Sequence, residues 1–314
     1  MDEFQIVNFA KLVMLALVPY VLAAQGTMLA GRTGIFIVAQ EGIMLVGASV
    51  GFLGAYLFDS LIYGLLLAML VGGLFGLVMA YLTTTLKMNQ FVIGLALFFS
   101  GLGLSTLLFK VMIGVTLQPP IIPTLRDVPL PGLSQLPVVG AIFFEQNWLV
   151  YFSVILSLVL YYFLYKTSMG LELRAVGENP KAADSLGVSV TLRCYMTSVV
   201  GGMLMGIAGA YLPMVYTGTF TDGIVNGRGW LSIALTFFGG WTPHLIFFGS
   251  LFFASVEVLA LRVQVVGAGI PHQFLRMFPY VATILIMIFA SGRIKAPAFL
   301  GKNYDRESRT LSSS

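Results

Sequence analysis

Residues 170–190 read G-L-E-L-R-A-V-G-E-N-P-K-A-A-D-S-L-G-V-S-V. Glu172, Arg174, Glu178, Lys181 and Asp184 stand close together here, with Arg193 just beyond, while the chain on either side is almost uniformly apolar. Hydrophobic segments therefore bracket a stretch that has to sit in water. Ala175, Val176, Ala182, Ala183 and Leu186 suit a short amphipathic helix, interrupted at Gly177 and Pro180. Two readings stand side by side: a helix ordered because a soluble partner docks on it, and a plain charged loop.

Working outward, 58% of the 314 residues are hydrophobic and only 10% charged, against about 25% charged in soluble domains. The chain is an integral membrane protein. Its 35 glycines suit helices that pack backbone to backbone. A single cysteine, Cys194, excludes a disulfide framework. The net charge of +4 does not point to nucleic acid. The start, M-D-E-F-Q, lacks the basic region of a signal peptide, so the first apolar segment is expected to be retained.

At about 20 apolar residues per crossing, nine spans are predicted, near 12–31, 34–58, 61–82, 90–109, 148–165, 194–216, 230–241, 244–261 and 277–291. The seventh is too short to cross as one helix, and Gln40-Glu41-Gly42 interrupts the second. With the 166–193 loop placed inside, eleven Lys and Arg lie on that side and five outside, with Lys11 ambiguous. That imbalance predicts an external N terminus and a cytoplasmic C terminus. Residues 112–147 become one external loop, irregular because it carries six prolines. The tail 301–314 is expected to be disordered. The whole chain, 1–314, reads as a single all-α transmembrane domain.

Four spans precede the fifth and four follow it in opposite orientation. Each half places a glycine-rich interrupted segment second, from Gly34 and from Gly229. Paired irregular segments point to a transport path, because a broken helix exposes backbone groups to a polar cavity.

Four stretches carry a likeness to a known family: the 170–188 segment, K-M-N-Q-F-V-I-G-L-A-L from Lys87, N-G-R-G-W-L-S-I-A-L-T-F-F-G-G-W-T-P from Asn226, and F-P-Y-V-A-T-I-L-I-M-I from Phe278. The chain resembles the permease subunits of ABC importers for nucleosides and simple sugars, and more distantly those for branched-chain amino acids. The resemblance implies two inverted repeats and a cytoplasmic coupling helix, made of Arg174, Gly177, Glu178, Asn179, Pro180, Lys181, Ala182, Ala183 and Leu186, that docks on a separate ATPase. ATP is then used by the partner, and this chain binds no cofactor. It also implies a second permease subunit, with a related but different one favoured over an identical one, and an external or periplasmic substrate-binding protein, in a bacterial or archaeal plasma membrane. The family commonly has Asn where Ile37 stands, so the lining of the path differs here.

An intramembrane carboxylate such as Glu41 is a functional candidate by default. It either meets solute across the path or caps the broken second span; Gln40 shares both readings. Asn89 and Gln90 open the fourth span, where capping competes with lining the path. Asn226, with Arg228, stands at the approach to the seventh span as a further candidate. Glu257 and Arg262 face either a binding protein or the headgroups. His244 is predicted at the inner surface and His272 on the other side, so they make no metal pair, and no G-x-x-x-x-G-K-[ST] phosphate loop is present. An ion-coupled secondary transporter is the competing function, but it asks for more intramembrane carboxylates than Glu41 and Glu257. An intramembrane enzyme lacks a catalytic set.

Overall fold

The computed structural model describes residues 3–114, 119–129, 131–136, 138–265 and 296–306, with the isolated positions 277, 281 and 288. The helices in chain order are α1 (Glu3–Gly31), α2 (Gln40–Leu57), α3 (Leu61–Ala80), α4 (Gln90–Ile113), α5 (Trp148–Lys166), α6 (Ser168–Glu178), α7 (Pro180–Ser185), α8 (Val190–Leu212), α9 (Arg228–Phe238) and α10 (Pro243–Val265). Wide-turn extensions continue α3 through Tyr81–Thr85 and α8 through Pro213–Thr217. Among the described residues, seven helices are long and apolar enough to cross a membrane: α1, α2, α3, α4, α5, α8 and α10. The protein is all-α and polytopic. The ninth predicted span, 277–291, lies outside the described residues but for positions 277, 281 and 288.

α2 and α8 are the most buried of the seven, and α4 is the least. α8 packs along α1, α2 and α3 at the centre. The approach is backbone to backbone. A Cβ built on Gly26 of α1 would lie 2.5 Å from the Gly201 carbonyl oxygen of α8, and one on Gly201 would lie 2.6 Å from that of Gly26. Gly72 of α3 and Gly202 of α8 meet in the same reciprocal way. Lipid chains are as apolar as leucine, so such close contact rather than a hydrophobic drive holds membrane helices together.

Two boundaries differ from the sequence reading. The second span does not begin at Gly34 and break at Gln40. Residues 35–39 have no regular structure, and the helix starts at Gln40. Nor does Gly177 interrupt the charged helix. α6 runs through it, and the break falls at Asn179, whose Oδ1 accepts from the Ala182 N–H while Pro180 opens α7. Glycine is needed at 177 for another reason: a built Cβ would collide with the Arg32 carbonyl.

The proline-rich 112–147 segment is irregular across most of its described part. It holds a two-residue antiparallel ladder, Val128 with Gln146 and Pro129 with Glu145. Lys11 pairs at 2.9 Å with Asp127 in this segment. The start of α1 therefore stands at the end of the bundle opposite α6 and α7.

Candidate functional site

Two helices of this bundle begin at breaks and meet. α2 starts after residues 35–39, which have no regular structure, and α9 starts after the irregular residues 218–227. α9 has 11 residues and rises about 16 Å, half of a bilayer core. Its first N–H groups would be left without intrahelical acceptors. Glu41 supplies them: its Oε1 accepts from Gly227 N–H at 2.8 Å and its Oε2 from Gly229 N–H at 2.7 Å. The carboxylate is buried, and the positive end of the α9 dipole faces it. Gly229 leaves it room, since a Cβ there would lie 2.6 Å from the Glu41 Cα. Of the two readings of Glu41, the geometry is that of a cap, but on α9 rather than on its own helix.

The neighbouring groups are equally committed. Gln40 is fully buried and donates through Nε2 to the Thr27 hydroxyl. Arg228 pairs at 2.5 Å with Glu257 of α10, which also accepts from the Tyr20 hydroxyl at 2.9 Å. A cleft of about 550 Å³ lined by Asn8, Tyr216, Arg228, Glu257 and Arg262 opens beside this pair. Sequence reasoning missed Tyr20, and also Gln25, which donates to Ser157 and to the Pro243 carbonyl. A buried glutamine in a long apolar helix was the available signal. Asn226 is exposed, in a left-handed conformation at φ 52°.

The second region is α6–α7 with the segment 296–306. Leu173 and Val176 of α6 and Ala183 of α7 are buried in the bundle's own core, as are Gly177 and Pro180. Ala183 is thus not available to a partner, contrary to its expected seat in an ATPase groove. The Arg174 guanidinium lies over the Tyr165 ring at 4.9 Å. Glu178, Asn179, Ala182 and Leu186 are exposed, Leu186 at 85%, and Lys181 is half-buried. Leu186, with Leu171 of α6 at 59%, leaves an apolar part of this surface open.

Residues 301–306 are not a disordered tail. Phe299 N–H donates to the Gly177 carbonyl at 2.9 Å and Gly301 N–H to the Gly34 carbonyl at 3.0 Å. Gln90, expected to line the path, is buried and binds this strap: its Nε2 donates to the Lys302 carbonyl and to Asn303 Oδ1, each at 3.2 Å, and its Oε1 accepts from Phe36 N–H at 2.7 Å. Asn303 donates to the Met88 carbonyl, and Lys87 pairs with Asp305 at 2.7 Å. Tyr304 donates to Asp184 at 3.0 Å, and Arg306 pairs with the same carboxylate at 2.9 Å. Burial, and then the bond to Asp184, push the Tyr304 phenol above the usual tyrosine range. Asn89 caps α4, its Oδ1 accepting from Phe91 and Val92 N–H. The strap ties α6 and α7 to the irregular residues before α2 and to the start of α4. Among the described residues no cluster of His, Cys, Asp and Glu could hold a metal ion.

A chain with a central pair of broken segments and a polar platform at one end has the build of a transport subunit, and comparison with known proteins decides which. Residues 9–290 match the family described as "Branched-chain amino acid transport system / permease component". The chain belongs to this permease family. It is 31% identical to the guanosine ABC transporter permease protein NupQ of Bacillus subtilis, over 98% of this permease and all of that one. It is 34% identical to the nucleoside ABC transporter permease protein NupC of Lactococcus lactis, over 91% of this permease and 93% of that one. It is also 31% identical to TsgC13 of Haloferax volcanii, provisionally a glucose ABC transporter permease, over 91% and 94% of the two chains. Each of the two bacteria has a second such permease that also matches, at 24% and 28% identity. No solved structure matches.

Proposed function

We propose that this permease is one of two related membrane subunits of an ATP-driven importer of nucleosides. The end-to-end similarity to the guanosine permease NupQ carries the reading. That two bacteria each hold a pair of matching permeases supports a different, related second subunit here. A separate ATPase docks on the exposed edge of α6–α7, through Glu178, Asn179, Lys181, Ala182 and Leu186. Arg174 and Ala183 hold that edge from behind. The platform faces the cytoplasm, the N terminus lies outside, and an external binding protein delivers the solute. Closure of the ATPases then moves the spans as rigid bodies. The strap gives that movement a route to the start of α2. The two halves are inverted repeats whose broken segments meet at Glu41.

Docking is tested by purifying the complex in mild detergent with Glu178→Lys and Leu186→Asp in place. The reading expects the ATPase subunit to be lost while the second permease stays bound. An ATPase retained in full by both variants would overturn the docking site.

A further inference from the structure

α4 carries an exposed face unlike those of the other peripheral spans. The exposed side chains of α3 include Ile62, Leu66, Leu70, Leu74 and Leu77, and those of α5 include Ile155, Leu158 and Val159, surfaces fit for lipid chains. α4 exposes apolar side chains too, among them Val92, Leu107 and Val111, but one stripe of it lines up Phe99, Gly103, Thr106 and Lys110 at helical spacing i, i+4, i+7 and i+11, with exposed Ser100 beside them.

Both ends of this face are built. At the lower end, Phe98 meets Phe99 with ring centroids 4.9 Å apart and meets Trp230 of α9 edge to face at 5.3 Å. The group is held on the α2–α9 junction. A Cβ on Gly42 would lie 2.7 Å from the Phe98 Cα, and Trp230 follows Gly229, which abuts Glu41. At the upper end, Thr106 donates to Asp222 at 3.1 Å and Lys110 lies 4.0 Å from the same carboxylate, which stays 60% exposed. Between the ends, nothing lies within 4 Å of a Cβ built on Gly103. Phe98 and Thr106 are eight residues apart, about 12 Å along the axis, which a nucleoside covers end to end.

We infer that this face is a nucleoside contact strip: the base stacks against Trp230 and Phe99, and the ribose hydroxyls donate to Asp222. Aromatic faces accept any base, and an ionised carboxylate accepts from two hydroxyls at once. The inference rests on the nucleoside reading and names where that solute touches this chain.

The test uses the complete importer in proteoliposomes, with Cys194→Ser removing the one native thiol. Ser100→Cys is exposed to a charged, membrane-impermeant thiol reagent, with Leu158→Cys on the α5 surface as the lipid-facing control. The expected result is labelling at position 100 that guanosine suppresses at least fivefold, and none at 158. In uptake, Trp230→Leu raises the half-saturating guanosine concentration about tenfold, the scale of one lost stacking contact, while Trp230→Phe stays within twofold of wild type. Copurification of the ATPase checks that each variant is assembled. If the wild type carries guanosine while position 100 is unlabelled or unprotected, the strip is not the path and this inference falls alone. If the wild type carries no nucleoside, the nucleoside reading falls with it.

Discussion

The Glu41 junction and the α6–α7 platform are both places where helices stop and backbone groups need partners. At the junction one buried carboxylate binds two N–H groups at the start of α9. At the platform the strap spreads the same task over many contacts, several half-exposed, such as Lys87 with Asp305 and Arg306 with Asp184. A buried charge-assisted bond is worth more than an exposed one, and its loss leaves donors unsatisfied. The junction is therefore a single stiff joint. The platform is a fastening that loosens contact by contact, and its uncovered edge lies on α6–α7.

Breaking the joint should have the largest effect. Glu41→Ala leaves two buried N–H groups without acceptors, and about 3 kcal/mol of stability is expected to go; thermal unfolding in detergent reads it, and a loss under 1 kcal/mol would remove the cap from the account. Gly177→Leu drives a side chain into the Arg32 carbonyl. It should cost about 2 kcal/mol and lower ATPase recovery too, because α6 lifts from the bundle. Leu186→Asp sharpens the contrast from the other side: unfolding should stay within about 0.5 kcal/mol, while the affinity for the ATPase, read by titration of the purified subunit, falls about tenfold. Arg306→Ala removes an 80% exposed partner of Asp184, and a change within about 0.5 kcal/mol is expected.

The apolar runs made the crossing helices legible in the sequence, and the short α9 stood out because its run is half the needed length. Glu41 stood out as a carboxylate amid apolar residues. Its partner did not, since Gly227 lies 186 residues further on and no local pattern records which helix a carboxylate will cap. The same limit explains Gln90. Its place at a helix start suggested a cap or a path residue, but its bonds go to the strap more than 200 residues away. Gly177 was misread because a glycine in a helix looks like a break until the neighbouring backbone that needs its space is seen. Residues 301–306 read as part of a disordered 301–314 tail, of which 307–314 lie outside the described residues. Lys302, Asn303, Tyr304, Asp305 and Arg306 are ordered there because each meets a group of the bundle or its loops.

The most direct test of the account is uptake of radiolabelled guanosine by proteoliposomes holding the assembled importer and its binding protein. The account predicts accumulation that requires hydrolysable ATP on the platform side and is abolished by Leu186→Asp with Glu178→Lys. Uptake that proceeds on an ion gradient without ATP, or that is untouched by the platform variants, would contradict it.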